Sequence, residues 1–130
     1  MTQEEKDLLL KDLGARLLYH PIVHINDLDV IDYDNYLYPD YLEKMMSYSI
    51  KLKPYLRPLS SITPEEKEHI KNKWSYANWN TLNDFLNYSL IDACDAESFI
   101  DWLNSHHFDY RGLIEKGLAI EAPEGMYNFN

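Results

Sequence analysis

The stretch from residue 49 to residue 66 restricts the possible folds more than any other part of this chain. Ser49–Lys53 alternates polar and apolar side chains, a pattern that predicts a half-buried β-strand. Pro54 and Pro58 follow, and each proline fixes φ and lacks an amide donor. We therefore expect Lys53–Pro58 to be extended, to cross the surface and to end the sheet.

The same stretch closes with a helix start signal. Thr63 is placed as an N-cap, with Pro64 at the first helical position and Glu66 able to bind the amide of Thr63 in a capping box. A helix should therefore run from Pro64 to about Trp74.

The N-terminus carries a second capping box, formed by Thr2 and Glu5. Apolar residues then recur at helical spacing: Leu9, Leu10, Leu13 and Leu17. This pattern predicts a helix from Gln3 to about Leu18. The helix should end before Pro21, because proline disfavours the helical conformation in the residue that precedes it.

Short apolar runs predict a small sheet in the first half of the chain. Ile22–Ile25 is rich in β-branched residues, and Leu28–Ile31 and Tyr36–Tyr38 lie on either side of an aspartate-rich turn. Asp40 can cap a helix over Tyr41–Tyr48.

Helices and one further strand are predicted for the second half. The apolar positions of two predicted helices are Leu82, Phe85 and Leu86, and Phe99, Ile100 and Leu103. The second helix should end at His106–His107, and after a turn Leu118–Ile120 predicts a short strand. We expect a single domain, residues 1–130, of the α+β class: an N-terminal helix, a small antiparallel sheet of short strands, and C-terminal helices packed on it.

The charge of the chain counts against nucleic acid and membranes as partners. The chain holds 22 acidic and 12 basic residues, a formal net charge of −10. Such a surface repels nucleic-acid phosphates and anionic lipid headgroups. A mildly basic segment from Lys44 to Lys73 leaves a local nucleic-acid-binding patch as an alternative.

Cysteine content and hydropathy predict the cellular setting. Cys94 is the single cysteine, so no intramolecular disulfide can form. The N-terminal residues are acidic and lack the apolar core of a signal peptide, and no run approaches the ~20 apolar residues of a membrane span. We expect a cytoplasmic protein.

The motifs that carry common chemistries are missing from the sequence. Phosphate-binding loops need closely spaced glycines, and the four glycines lie apart. The spacing of a calcium-binding loop is not present among Asp27, Asp29, Asp32 and Asp34. Adjacent His106 and His107 would point about 100° apart on a helix, which favours a C-cap or surface pair over a metal site. The acidic neighbours of Cys94 make it a poor nucleophile. We predict no catalytic residue, no metal and no cofactor.

Four segments carry a resemblance to known sequences. They are Leu8–Leu13 (LLLKDL), Lys53–Thr63 (KPYLRPLSSIT), His107–Ile114 (HFDYRGLI) and Gly117–Tyr127 (GLAIEAPEGMY). Together they resemble a group of small uncharacterised proteins encoded by gut Bacteroides and their phages or prophages. The resemblance implies an accessory protein of a mobile element and is compatible with an α+β fold; it implies no activity and no catalytic residues.

The leading hypothesis is a non-enzymatic accessory protein that acts by protein–protein interaction. Its partner would be a host or phage protein, and its oligomeric state is left open. The candidate contact residues are aromatic, basic or histidine side chains: Arg57, Trp74, Tyr76, Trp79, Trp102, His107 and Arg111.

Two alternatives stand beside it. One is a small-molecule-binding protein or enzyme with its site near His106–Arg111. In such a site Arg111 would clamp an anion. In the absence of a site, Arg111 should lock the turn by pairing with Asp109 or with a carbonyl. The other is an acidic DNA mimic that inhibits a host nucleic-acid enzyme by presenting carboxylates at the spacing of duplex phosphates.

Overall fold

A computed structural model describes residues 1–27, 32–47, 50–73 and 93–127. Four helices lie in this part of the chain: α1 (Gln3–Arg16), α2 (Pro39–Met46), α3 (Pro64–Lys73) and α4 (Ala93–Ser105). Four strands accompany them: β1 (Ile22–Asp27), β2 (Tyr33–Tyr36), β3 (Ile50–Leu56) and β4 (Ile120–Glu121). Short 3₁₀ turns cover Leu17–Tyr19 and Leu59–Ser61. The predicted α+β class is confirmed.

The strands form a mixed sheet in the order β2-β1-β3-β4. β1 pairs antiparallel with both β2 and β3, whereas β4 pairs parallel with β3. The predicted sheet was antiparallel, and β4 differs because the chain passes through α3 and α4 before it returns beside β3. Such a long crossover brings a strand back in the same direction.

Both capping boxes are present in the structure. At α1, the Thr2 amide donates to Glu5 Oε1 at 2.9 Å and the Glu5 amide donates to Thr2 Oγ1 at 3.1 Å. At α3, the Thr63 amide donates to Glu66 Oε1 at 2.9 Å and the Glu66 amide donates to Thr63 Oγ1 at 3.2 Å. Side-chain caps that bridge three residues are local enough for sequence to predict both helix starts.

Pro54 lies inside β3, which corrects the expectation that the prolines end the sheet. The segment is extended as predicted, but it pairs with β1 up to Pro54 and with β4 beyond it. The Leu56 carbonyl accepts a bond from the Ala122 amide on the β4 side. In a strand, the backbone groups of residues two apart point toward the same neighbouring strand, so the amide that Pro54 lacks would point toward β4. The short strand β4 pairs only with Tyr55 and Leu56, so the sheet does not need a hydrogen bond from residue 54.

α2 begins one residue before the predicted cap. Pro39 takes the first helical position, and extended Tyr38 precedes it as N-cap without a side-chain bond. Asp40 therefore lies within the first turn, where its negative charge is favourable to the helix dipole.

Two apolar clusters hold these elements together. The first packs α1 and α2 on the inner face of the sheet and includes Leu9, Leu13, Val23, Ile25, Tyr41, Met45, Leu52 and Leu56. The second joins α3, α4 and the chain that follows α4, through Ile70, Phe99, Leu103 and Phe108. The inward positions of β1 and β3 alternate along each strand, as a sheet with one buried face requires.

Some predictions fall outside the described residues. They are the strand at Leu28–Ile31, the helix that carries Leu82, Phe85 and Leu86, and the contact residues Trp74, Tyr76 and Trp79. Within the described part of the chain, no helix combines the length and the apolar character that a membrane crossing needs.

Candidate functional site

A cleft of about 1230 Å³ opens between the start of α3, the end of α4 and the segment that follows β4. Two predicted contact residues, Arg57 and Trp102, lie in its wall. The other lining residues are Pro58, Ser61, Thr63, Glu65, Glu66, His69, His106, Glu121, Ala122, Pro123, Glu124, Gly125 and Tyr127. The elements that form it come from three separate parts of the sequence.

Arg57 and Glu66 form a two-pronged ion pair in this wall. Arg57 Nη1 and Nη2 donate to the two carboxylate oxygens of Glu66 at 2.8 and 2.7 Å, and the guanidinium also lies 4.1 Å from the centre of the Phe108 ring. Burial acts to raise the pKa of Glu66, but bonds from Arg57 and Thr63 outweigh it and lower that pKa. The pair fixes the start of α3 against the end of β3.

Trp102 is half-buried in the same wall and belongs to a stack of rings. Its ring centre lies 4.2 Å from that of His106 and 5.8 Å from those of His69 and Phe108. His106 Nδ1 lies 2.9 Å from the Trp102 carbonyl oxygen. Burial lowers the pKa of His106, although this bond acts in the opposite direction. The stack gives the cleft a flat aromatic side.

Tyr127 closes the far end of the cleft. Its hydroxyl accepts from the Ile22 amide and donates to the Tyr55 carbonyl, both at 2.8 Å. Its ring stacks on His107 with centres 3.9 Å apart. Burial raises the pKa of the Tyr127 hydroxyl, so it stays protonated and can donate. These contacts hold the segment after β4 against the sheet, and sequence reasoning did not identify them.

The rim of the cleft is acidic. Glu65, Glu121 and Glu124 line it and are exposed to solvent. The positively charged Arg57 is already matched by Glu66. The cleft therefore presents a negative surface beside the aromatic stack.

His107 lies at the end of α4, as predicted, but it is buried and not on the surface. Its φ is 61°, in the left-handed region. The amides of His107 and Phe108 donate to the carbonyls of Asn104 and Leu103, which is the Schellman pattern of helix termination. Burial, with the nearby Arg16 as a second cause, lowers the pKa of His107 to about 4.

The predicted pairing of Arg111 with Asp109 or a carbonyl is not what the structure shows, because Arg111 pairs with α1. Its Nη1 donates to Asp12 Oδ1 at 2.6 Å, on helix α1. Asp109 instead accepts bonds from the amides of Leu113 and Ile114, both at 2.9 Å. Asp109 and Arg111 therefore stabilise the same region by separate contacts.

The structure brings together only some of the predicted contact residues. Arg57 and Trp102 share the cleft, whereas His107 and Arg111 are not among the residues that line it. His106 lines the cleft, so the proposed site near His106–Arg111 is divided between the cleft wall and the core. The role of these residues in binding stays a prediction.

Two of the four aspartates compared with a calcium-binding loop, Asp32 and Asp34, lie beside His24, whereas Asp29 lies outside the described residues. His24 Nδ1 lies 2.8 Å from Asp34 Oδ1, and Tyr55 donates to the same oxygen at 3.0 Å. The bond to Asp34 raises the pKa of His24. Across residues 1–27, 32–47, 50–73 and 93–127, no group of three or more His, Cys, Asp or Glu side chains is placed to hold a metal ion.

Fold and site together define a small α+β protein with an aromatic, acid-rimmed cleft. No protein-family model, curated protein or solved structure matches this chain. Its function must therefore be inferred from the cleft and from the sequence.

Proposed function

We propose that this chain is an interaction protein that takes a segment of a partner protein into the cleft beside Trp102. The cleft itself carries the proposal: its volume is about 1230 Å³, and a half-buried tryptophan lies in its wall. Aromatic residues are enriched at protein interfaces and at the positions that contribute most to affinity. The observation supports binding of a partner at this face.

Three polar side chains of the cleft wall support binding more than catalysis. Glu66 and Arg57 bind each other, and His106 is held to the Trp102 carbonyl. A catalytic acid or base needs a reacting proton within hydrogen-bond reach. Side chains that are already bonded to other groups of the same chain serve to shape a surface.

The setting follows the sequence resemblance. We propose an accessory protein of a Bacteroides mobile element, whose partner is a host or phage protein. The net charge of −10 supports a protein partner over nucleic acid, because phosphates are repelled.

Partner capture with a blocked cleft tests this function. Ser61→Trp fills the cleft from an exposed position whose hydroxyl donates to the carbonyl three residues earlier. Ser47→Trp is the matched control, because exposed Ser47 makes the same kind of bond outside the cleft lining. Tagged wild-type protein and both variants are incubated with nuclease-treated Bacteroides lysate, and captured proteins are quantified by mass spectrometry.

We expect a stoichiometric partner to be captured by the wild type and by Ser47→Trp, and to fall at least about tenfold with Ser61→Trp, since a filled pocket removes the central contacts of an interface. Circular dichroism confirms that both variants fold. A partner that binds all three proteins equally would place the interface elsewhere, and loss of the partner on nuclease treatment would indicate nucleic acid.

A further inference from the structure

We infer that the occupant of the cleft is an extended polypeptide segment that carries several Lys or Arg residues. This inference rests on the proposed function and adds the chemistry of the partner. It combines the charge of the rim, the aromatic wall and the size of the cleft.

The charge of the lining favours a cationic ligand. Four carboxylates line the cleft, those of Glu65, Glu66, Glu121 and Glu124. Among the described residues, Glu66 is the one of these four that forms an ion pair, with Arg57. The three exposed carboxylates thus lie in one concave surface without a cation from the described chain. Opposite charge on the partner would relieve their mutual repulsion and guide the encounter.

The aromatic wall favours the same ligand. A Lys or Arg group near the face of tryptophan is attracted by the charge distribution of the ring, and tryptophan is the best of the aromatic residues for this contact. Trp102 lines the cleft together with the acidic rim. A basic side chain can therefore lay its apolar stem along the aromatic wall that Trp102 forms with His69 and His106, while its charge meets a carboxylate.

The size of the cleft favours a segment of chain over a small cation. Pockets for small molecules are commonly of order 300–1,000 Å³. The volume here is about 1230 Å³, and the wall runs along the segment after the edge strand β4. An extended peptide can lie along this segment, with alternate side chains directed at the wall.

Peptide binding tests the inference directly. Three fluorescein-labelled peptides are compared by fluorescence anisotropy: alternating Lys-Pro, and matched Gln-Pro and Glu-Pro sequences of the same length. We expect the Lys-Pro peptide to bind at least about tenfold more tightly than the Gln-Pro peptide, and more weakly as salt rises from about 50 to 200 mM. The Glu-Pro peptide should not bind.

Charge variants distinguish an effect of the cleft carboxylates from an effect of the net charge of the whole chain. The double variant Glu121→Gln, Glu124→Gln should weaken Lys-Pro binding by about tenfold, since two of the three exposed carboxylates of the cleft are removed. The control Glu4→Gln, Glu115→Gln makes the same change in net charge at exposed positions outside the cleft lining and should have little effect. Equal weakening by both double variants would overturn the inference.

The outcomes also distinguish this inference from the proposed function. Equal affinity for the Lys-Pro and Gln-Pro peptides would make the inference wrong. The proposed function would still stand if Ser61→Trp abolished partner capture. Undiminished Lys-Pro binding to Ser61→Trp would place the peptide outside the cleft and overturn the inference as well.

Discussion

His107 shows how one residue can combine a backbone role with a titratable side chain. It occupies the left-handed position that ends α4, where glycine is the usual residue. Its carbonyl accepts from the Arg57 amide at 2.7 Å, and its ring packs on Tyr127. The imidazole is therefore buried between the end of β3 and the segment after β4.

The buried imidazole predicts a loss of stability in mild acid. The pKa of His107 is about 4 in the folded chain, against about 6.5 when unfolded. Between these pH values the unfolded chain binds more protons, so stability is complete above pH 6.5 and falls toward pH 4. His107→Asn, which tolerates positive φ, should reduce the fall in unfolding free energy between pH 7 and pH 5 by roughly 2 kcal/mol. Urea denaturation followed by circular dichroism measures this.

His24 provides a control of opposite sign. The bond to Asp34 raises the pKa of His24 in the folded chain. The stability that His24 contributes is therefore fully present below its pKa in the unfolded chain, and is lost as the pH rises through its pKa in the folded chain. His24→Gln should therefore enlarge the fall between pH 7 and pH 5. An unchanged pH profile in His107→Asn would contradict the assignment of the acid transition to His107.

At the scale of elements, a buried charge network ties α1 to the turn after α4. Asp12 and Arg16 are both 0% exposed, and Arg16 Nε donates to Asp12 Oδ2 at 2.8 Å. Arg16 Nη2 donates to the Phe108 carbonyl at 2.7 Å, and Arg111 reaches Asp12 from the turn. The helix is thus fixed to the turn by polar contacts in addition to its apolar face.

This network predicts a large effect for a single carboxylate. Asp12→Ala should destabilise the protein by about 3–5 kcal/mol, because it leaves the buried Arg16 cation without a counter-charge. Asp7→Ala, at an exposed position of the same helix, should cost within about 0.5 kcal/mol. Urea denaturation of both variants gives the comparison, and equal costs would show that the network contributes little.

At the scale of the whole molecule, Tyr127 connects the segment after β4 to strand β1. Its hydroxyl bonds to Ile22, which lies 105 residues away in sequence. The same hydroxyl bonds to β3 through Tyr55. The segment that walls the cleft is consequently held by the sheet.

Removal of that hydroxyl tests the connection. Tyr127→Phe should lower the unfolding free energy by about 1–3 kcal/mol, because the Ile22 amide and the Tyr55 carbonyl lose a partner. Hydrogen exchange should accelerate at the Ile22 amide. Tyr38→Phe, at a tyrosine with 44% exposure, is the control and should change neither quantity. Unchanged Ile22 exchange in Tyr127→Phe would contradict the contact.

Sequence reasoning predicted features whose partners are close along the chain. The capping boxes at Thr2 and Thr63 join residues three apart, and both are present. Local contacts of this kind leave a pattern in neighbouring residues.

Features that depend on contacts between distant residues were either not predicted from the sequence or predicted wrongly. Pro54 stays inside a central strand because its neighbour β4 is short, and β4 is parallel because of the crossover before it. Nothing near His107 in sequence indicates that it is buried. The sequence predicts Arg57 as a contact residue, but no local pattern indicates that Glu66, nine residues away, binds it.

The sequence by itself determined the capped starts of α1 and α3, the strands β1 and β3 and the α+β class, because hydrophobic period and caps depend on residues a few positions apart. The tertiary structure decided the cleft, the pairing of Arg111 with Asp12 and the anchoring of Tyr127. The partners in these last two contacts are 99 and 105 residues apart. Contacts over such distances form only when the packed sheet and helices bring the segments together, because closing a long loop costs chain entropy that local interactions do not offset.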